Sequence, residues 1–298
     1  MTDLHTSQEK FSIMKYFRYK PTSLKQAREA ENKLIEMSLS KYCTHRTQKQ
    51  QQSVEISENT FINTLSFAQS DNATRNIVLC HGYGAGLGFF YRNFSLTERI
   101  ANCRLIAIDW LGMGNSSRPN YPMNSKEPQK AIDFFVDSLE LWRQKMKLNS
   151  FTLVGHSLGG YLGVMYALRF PERVDKLVLV SPVGVPVCTD PRNTVIGRPL
   201  PNWIHELWER NFTPQWLVRT IGPYGPEFVK RYTDARFKFL PQDESELFRN
   251  YLYHIHAGRG SGEYSLATIL QPGAWARIPL YNKLSQLRMP VTFICNLE

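Results

Sequence analysis

No run of 18 or more apolar residues occurs in the 298-residue chain, so the sequence offers no membrane-spanning helix. The opening, MTDLHTSQEKFS, lacks the apolar core of a secretory signal, and its early acidic residues disfavour a mitochondrial presequence. The five cysteines (Cys43, Cys80, Cys103, Cys188, Cys295) are odd in number and never spaced C-x-x-C. That excludes a cysteine metal framework and leads us to expect reduced thiols in an intracellular protein. Two phosphate-binding signatures are missing as well. GYGAGLG has no register with glycine at i, i+2 and i+5 from Gly82, Gly84 or Gly86, so it is not a dinucleotide fingerprint. No G-x-x-x-x-G-K-[ST] loop is present either, and we expect no cofactor and no metal. The net charge of +10 comes without C₂H₂ spacing or an RNA-recognition signature. Nucleic acid is therefore not an expected partner, which leaves an anionic membrane surface or plain solubility to account for the charge.

What is present divides the chain into four parts. Residues 1–50 form a basic, aromatic N-terminal extension. Phe11, Ile13, Met14, Tyr16, Phe17 and Tyr19 lie among Lys10, Lys15, Arg18 and Lys20; an interfacial membrane segment and packing onto the main domain both fit. A helix should follow Ser23 as N-cap, with Leu24, Ala27, Leu34 and Met37 on one side. Residues 51–182 alternate apolar strands (NIVLC, CRLIAID, FTLVG, VDKLVLV) with helices (FFYRNFSLTERIA, AIDFFVDSLELWRQKMKL, LGGYLGVMYALRF). This pattern predicts an α/β fold with a mostly parallel sheet, whose sites lie beyond the carboxyl ends of the strands. Residues 183–285, rich in Pro, Trp, Tyr and Arg, read as an inserted helical lid. Residues 286–298 read as one more core strand, PVTFI, close to the last residue.

The chemistry concentrates at Gly155-His156-Ser157-Leu158-Gly159, a G-x-S-x-G pattern between a strand and a helix. That setting makes Ser157 a candidate nucleophile on a tight turn. The backbone N–H of Leu158, at a helix start, suits a developing oxyanion. Gly155, His156 and Gly159 would shape the turn. The loop His81-Gly82-Tyr83-Gly84 follows the strand NIVLC, and the Tyr83 N–H is the expected second oxyanion donor. His81 and Gly82 are expected to be structural. Asp109, ahead of glycines and Ser116, is expected to fix its turn.

HGYGAG, DWLGMGNSSRP, GHSLGGYLG and RFPERVDKLVLVSPVG together resemble the α/β-hydrolase fold-1 superfamily. SSRP, FTPQWLVRTIGPYG and GSGEYSLATILQPGAWARIPL narrow the resemblance to the α/β-hydrolase-domain 4/5 subfamily over residues 55–294. The resemblance implies a phospholipase, lysophosphatidate acyltransferase or cardiolipin deacylase that forms an acyl-serine. Its partners would be (lyso)phospholipids at an endomembrane, lipid-droplet or mitochondrial surface. In that subfamily a Gly-Asp-x-Asp-Trp segment and a later His-x-x-x-x-Asp motif carry the catalytic acid and histidine. Here VTFI runs into CNLE, and no histidine has an aspartate five positions on. The resemblance thus implies an impaired chain with last strands and helices missing. Surrogates are disfavoured: His205, His254 and His256 all read as lid residues, Asp190 lies beyond the strand KLVLVSP, and Glu298, the last residue, cannot be well fixed. A non-catalytic lipid-binding or lipase-regulatory protein and a small-ester esterase are the alternatives.

Overall fold

The computed structural model describes residues 21–44, 47–70, 73–121 and 127–295. The aromatic stretch Phe11 to Tyr19 and Glu298 lie outside the described residues. The first element is helix α1 (Leu24–Tyr42). Its sequence contains no Gly or Pro, and Ser23 caps it by accepting from the Gln26 N–H. Ala27, Ala30 and Leu34 recur on one face and are buried together with Ile35. Full burial of Leu34 and Ile35 stabilises by roughly 1.5–3 kcal/mol each. The helix is therefore part of the domain. An extension ending at residue 50 is also at odds with strand β1 (Gln48–Ser57), which crosses that boundary.

β1 pairs antiparallel with β2 (Thr60–Ala68), and β2 pairs antiparallel with β4 (Cys103–Ile108). From there the sheet is parallel: β4 with β3 (Arg75–Cys80), then β5 (Phe151–His156), β6 (Val174–Val180) and β7 (Val291–Ile294). The order among the described residues is β1-β2-β4-β3-β5-β6-β7. One sheet face packs against α2 (Pro128–Lys145) and α3 (Leu158–Arg169), with Phe135, Trp142, Tyr161 and Tyr166 in its core. On the other face, α1, the segment Leu87–Glu98 and a later helix, Gln242–Ala257, cover β2, β4 and β3.

The helix read from FFYRNFSLTERIA takes the form of a run of 3₁₀ turns over Leu87–Glu98. Its first N–H groups are claimed from outside: Leu87 donates to Asp109 Oδ1 and Gly88 to the Tyr251 hydroxyl. Gly86 and Gly88 have no room for a Cβ beside Tyr251, so the chain enters the segment tightly packed against that ring.

Between β6 and β7 the chain makes α4 (Asn202–Glu209), α5 (Pro214–Thr220), α6 (Gly225–Arg236), α7 (Gln242–Ala257) and α8 (Ser265–Ile269). No helix among the described residues is long and apolar enough to cross a membrane. On the α1 face, no helix among the described residues covers β5 and β6. Val154, Val178 and Val180 line a groove of about 930 Å³ with Phe89, Phe90 and Ile294.

Candidate functional site

Three strand ends meet at the site: Cys80 of β3, Ile108 of β4 and His156 of β5. Ser157 follows β5 directly and precedes the first residue of α3. Its backbone is at φ 54°, ψ −118°, a left-handed conformation that costs a non-glycine residue on the order of 1–3 kcal/mol. Surrounding contacts enforce it. The Ser157 N–H donates to Val180 O at 3.0 Å, and its carbonyl accepts from Gly160 and Val183. Gly155 and Gly159 allow the close approach. A Cβ on Gly155 would stand 2.4 Å from Gly159 O, and one on Gly159 would stand 2.3 Å from Cys80 O.

The neighbouring loop, residues 81–85, is packed onto this turn. A Cβ on Gly82 would fall 2.9 Å from Ser157 Cβ, so only glycine fits there. His81 is fully buried and both of its ring nitrogens are in use. Nε2 accepts from the Trp110 N–H at 3.1 Å, and Nδ1 contacts Gly82 O at 2.8 Å. A carbonyl only accepts, so Nδ1 carries the proton and the ring is neutral. Burial pushes its pKa down. The 3.7 Å approach of Asp109 to Nε2 is therefore a contact with a neutral ring. Gly82 O and the Tyr83 N–H are opposite ends of one peptide unit, so His81 sets the direction of that N–H. Neither the Tyr83 nor the Leu158 N–H has an acceptor among the described residues. Leu158 opens α3, where first-turn N–H groups have no helical partner.

Asp109 is also fully buried. It accepts from the Leu87 and Asn115 N–H groups and from Asn63 Nδ2, at 2.7 to 2.8 Å. Ser116 Oγ donates to its carbonyl at 2.7 Å. The carboxylate thus ties the loop after β4 to the loop after β3, a turn-fixing position.

Two contacts of these loops have no local signal in the sequence. Asn63 Nδ2 also donates to Glu31 of α1 at 3.0 Å, and Gln51 Nε2 donates to Glu31 at 2.9 Å. Glu31 is fully buried. On the far side, His256 and Gln215 touch Gly84 and Tyr83.

Among the described residues no side chain is hydrogen-bonded to Ser157 Oγ. His156 is exposed and borders the groove. His254 Nδ1 meets Thr22 Oγ1 at 2.8 Å, and His256 Nε2 meets Gly84 O at 2.6 Å. His205 lies on α4. Asp190 pairs with Arg192 in a surface loop. None of these groups is hydrogen-bonded to Ser157 among the described residues.

A sequence profile of the alpha/beta hydrolase fold matches residues 75–214. An Arabidopsis thaliana 1-acylglycerol-3-phosphate O-acyltransferase is 43% identical over 248 residues, covering 80% of this chain and 58% of its own. The chain therefore spans less than two thirds of that plant relative. A human (lyso)-N-acylphosphatidylethanolamine lipase is 32% identical over 279 residues, covering 92% of this chain and 77% of its own. Among solved structures, a bacterial membrane phospholipase A superposes with a TM-score of 0.58 at 20% identity, covering 98% of this chain and 81% of its own; that likeness concerns the fold.

Proposed function

The chain belongs to the α/β-hydrolase fold family, in its domain 4/5 branch, and from that membership we propose that it acts on acyl esters of (lyso)phospholipids through an acyl-serine at Ser157. The observation that carries this reading is the strained Ser157 turn beside two backbone N–H groups, Tyr83 and Leu158, that have no acceptor among the described residues. In the proposed step, Ser157 Oγ bonds to the acyl carbonyl carbon and gives up its proton. The carbonyl oxygen becomes an oxyanion facing the two N–H groups. Collapse of the intermediate releases the lipid alkoxide, which takes up a proton. Attack on the acyl-serine by water completes a phospholipase cycle, and attack by a lysophospholipid hydroxyl completes an acyl transfer. Both outcomes occur among the names of the relatives.

The same reading makes the serine of this chain a slow nucleophile. With no histidine bonded to Oγ among the described residues, the proton passes to water. Loss of a triad histidine costs on the order of a millionfold in turnover, while oxyanion donors and substrate binding keep a residual rate. A long-chain fluorophosphonate is therefore expected to modify Ser157 alone, over hours, with no adduct in Ser157→Ala. Mass spectrometry of tryptic peptides reads this out. An adduct on another serine, or none, removes the nucleophile assignment; modification within seconds removes the impaired-base assignment.

Residues 183–285 serve as the lid and the lipid-facing side. Helix α4 buries none of its residues. Ile196 and Trp203 are exposed at 73% and 61%, and Phe212 and Trp216 pack edge to face in the open. Arg198 and Arg210 are exposed in the same stretch of chain, as are Glu206 and Glu209. Exposed apolar side chains interspersed with cations suit an anionic bilayer surface. Paired Trp203→Glu and Phe212→Glu replacements are expected to weaken binding to phosphatidylglycerol vesicles at least tenfold, given about 1.5–3 kcal/mol per buried side chain. Vesicle flotation measures this, and undiminished binding would move the lipid contact elsewhere.

A further inference from the structure

One wall of the lid is bonded to the loop that carries the Tyr83 N–H. His256, near the end of α7, meets Gly84 O through Nε2 at 2.6 Å. Because a carbonyl only accepts, Nε2 bears the proton and His256 is the donor. Gln215, on α5, accepts from the Tyr83 hydroxyl at 2.8 Å through Oε1. Gly84 has φ +65°, and a Cβ there would stand 3.3 Å from Gln215 Nε2 and 3.5 Å from His256 Nε2. The two lid side chains therefore face the loop from one side, with the Ser157 turn against Gly82 on the other. The space between lid and loop is only about 20 Å³, close to the size of a single water site.

Gln215 and His256 also belong to one unit. Arg219 of α5 donates to both Glu263 oxygens, at 2.6 and 3.0 Å. Its NH1 also reaches the carbonyls of His256 and Gly258. Thr213, the cap of α5, donates to the same Glu263 carboxylate at 2.8 Å. Glu263 and Gln215 are buried. A desolvated bidentate ion pair with further hydrogen bonds holds its elements firmly in register.

We infer that His256 and Gln215 are positioning residues for the oxyanion loop, so that the α5–α7 wall of the lid fixes the direction of the Tyr83 N–H. This inference rests on the reading of Ser157 and Tyr83 given above, and it adds two lid residues to the machinery. His81 holds the Gly82–Tyr83 peptide from inside the core; the lid holds the Gly84–Ala85 peptide, two units on, through Gly84 O, and also the Tyr83 side chain. Displacing this wall frees both grips at once. The exposed α4 side of the lid makes no such bond to the loop, so it can shift without disturbing the two N–H groups.

The test pairs a measurement independent of activity with one that depends on it. Variants His256→Ala, His256→Asn and Tyr83→Phe are compared with the parent chain. Asn keeps an N–H donor, and Phe deletes a single hydroxyl without touching the backbone. Loss of one neutral hydrogen bond corresponds to about a five- to tenfold change in an equilibrium. Amide hydrogen exchange over residues 82–86 is expected to speed up by that factor in His256→Ala and Tyr83→Phe, and to return toward the parent rate in His256→Asn. Exchange in β5 and α3 should stay unchanged. The slow fluorophosphonate modification of Ser157 should fall by a similar factor in the same two variants and recover in His256→Asn. Unchanged exchange over residues 82–86 in both His256→Ala and Tyr83→Phe overturns the inference. If His256→Ala does not fold, Tyr83→Phe decides. If the parent chain takes up no probe, the Ser157 reading fails by itself, and the exchange rates still decide whether the lid holds the loop.

Discussion

Asp109→Ala is expected to lower the melting temperature by on the order of 10 °C. The substitution strands three buried donors: the Leu87 and Asn115 N–H groups and Asn63 Nδ2. An unsatisfied buried donor costs about 1–3 kcal/mol, and even partial relaxation leaves a loss of about 4 kcal/mol. For a chain of this size each kcal/mol moves the midpoint by about 2–4 °C. Asp109→Asn keeps one acceptor oxygen and should lose about half as much. Thermal unfolding followed by circular dichroism gives the comparison. A drop below about 3 °C for the alanine variant would mean that Asp109 does not bear the turn, and its place at a strand end would need another explanation.

The second large effect belongs to Glu31 and depends on pH. Its pKa is raised from 4.5 to about 8, first by burial and then by the Asp109 carboxylate; Asn63, Asn115 and Arg28 pull the other way. The fold therefore favours the protonated acid. A group with a raised folded pKa contributes its full stability below its unfolded value and loses it as pH rises through the folded value. The loss runs from about 4.5 to about 8 and then levels off. At about 1.4 kcal/mol per pH unit, the span corresponds to a few kcal/mol. Glu31→Gln is neutral at every pH and retains an oxygen for Asn63 and Gln51. It should match the parent near pH 4 and exceed it by a few kcal/mol at pH 9. Urea unfolding at the two pH values provides the difference, and parallel stability curves would refute it.

These two residues mark where sequence reasoning succeeds and where it stops. The turn at Asp109 is legible because its glycines and Ser116 sit within a few residues of it. The Ser157 turn is legible for the same reason: strand, small residues and helix are contiguous. Glu31 looks like any other glutamate on an amphipathic helix, and only the packing of α1 over β2 and β4 reveals its burial. The same packing makes residues 24–42 part of the core, where the sequence suggests an extension. His256 reads as a lid histidine and a weak candidate base. Its contact with Gly84 spans 172 residues, and no local pattern encodes a pairing of that reach. The 3₁₀ segment shows the limit from another side. Its helical pattern is legible, whereas the bonds that seat its start, from Leu87 to Asp109 and from Gly88 to Tyr251, span 22 and 163 residues and have no local signal.

The groove beside β5 and β6 bears on how binding responds to salt. β7 is the last strand of the sheet among the described residues, and Phe293 and Ile294 on it are about half exposed. Under the lipid contact proposed above, attachment through the α4 side of the lid weakens as salt screens it, whereas a contact made through the apolar strip of β7 and the groove persists in salt. A salt titration of vesicle binding separates the two.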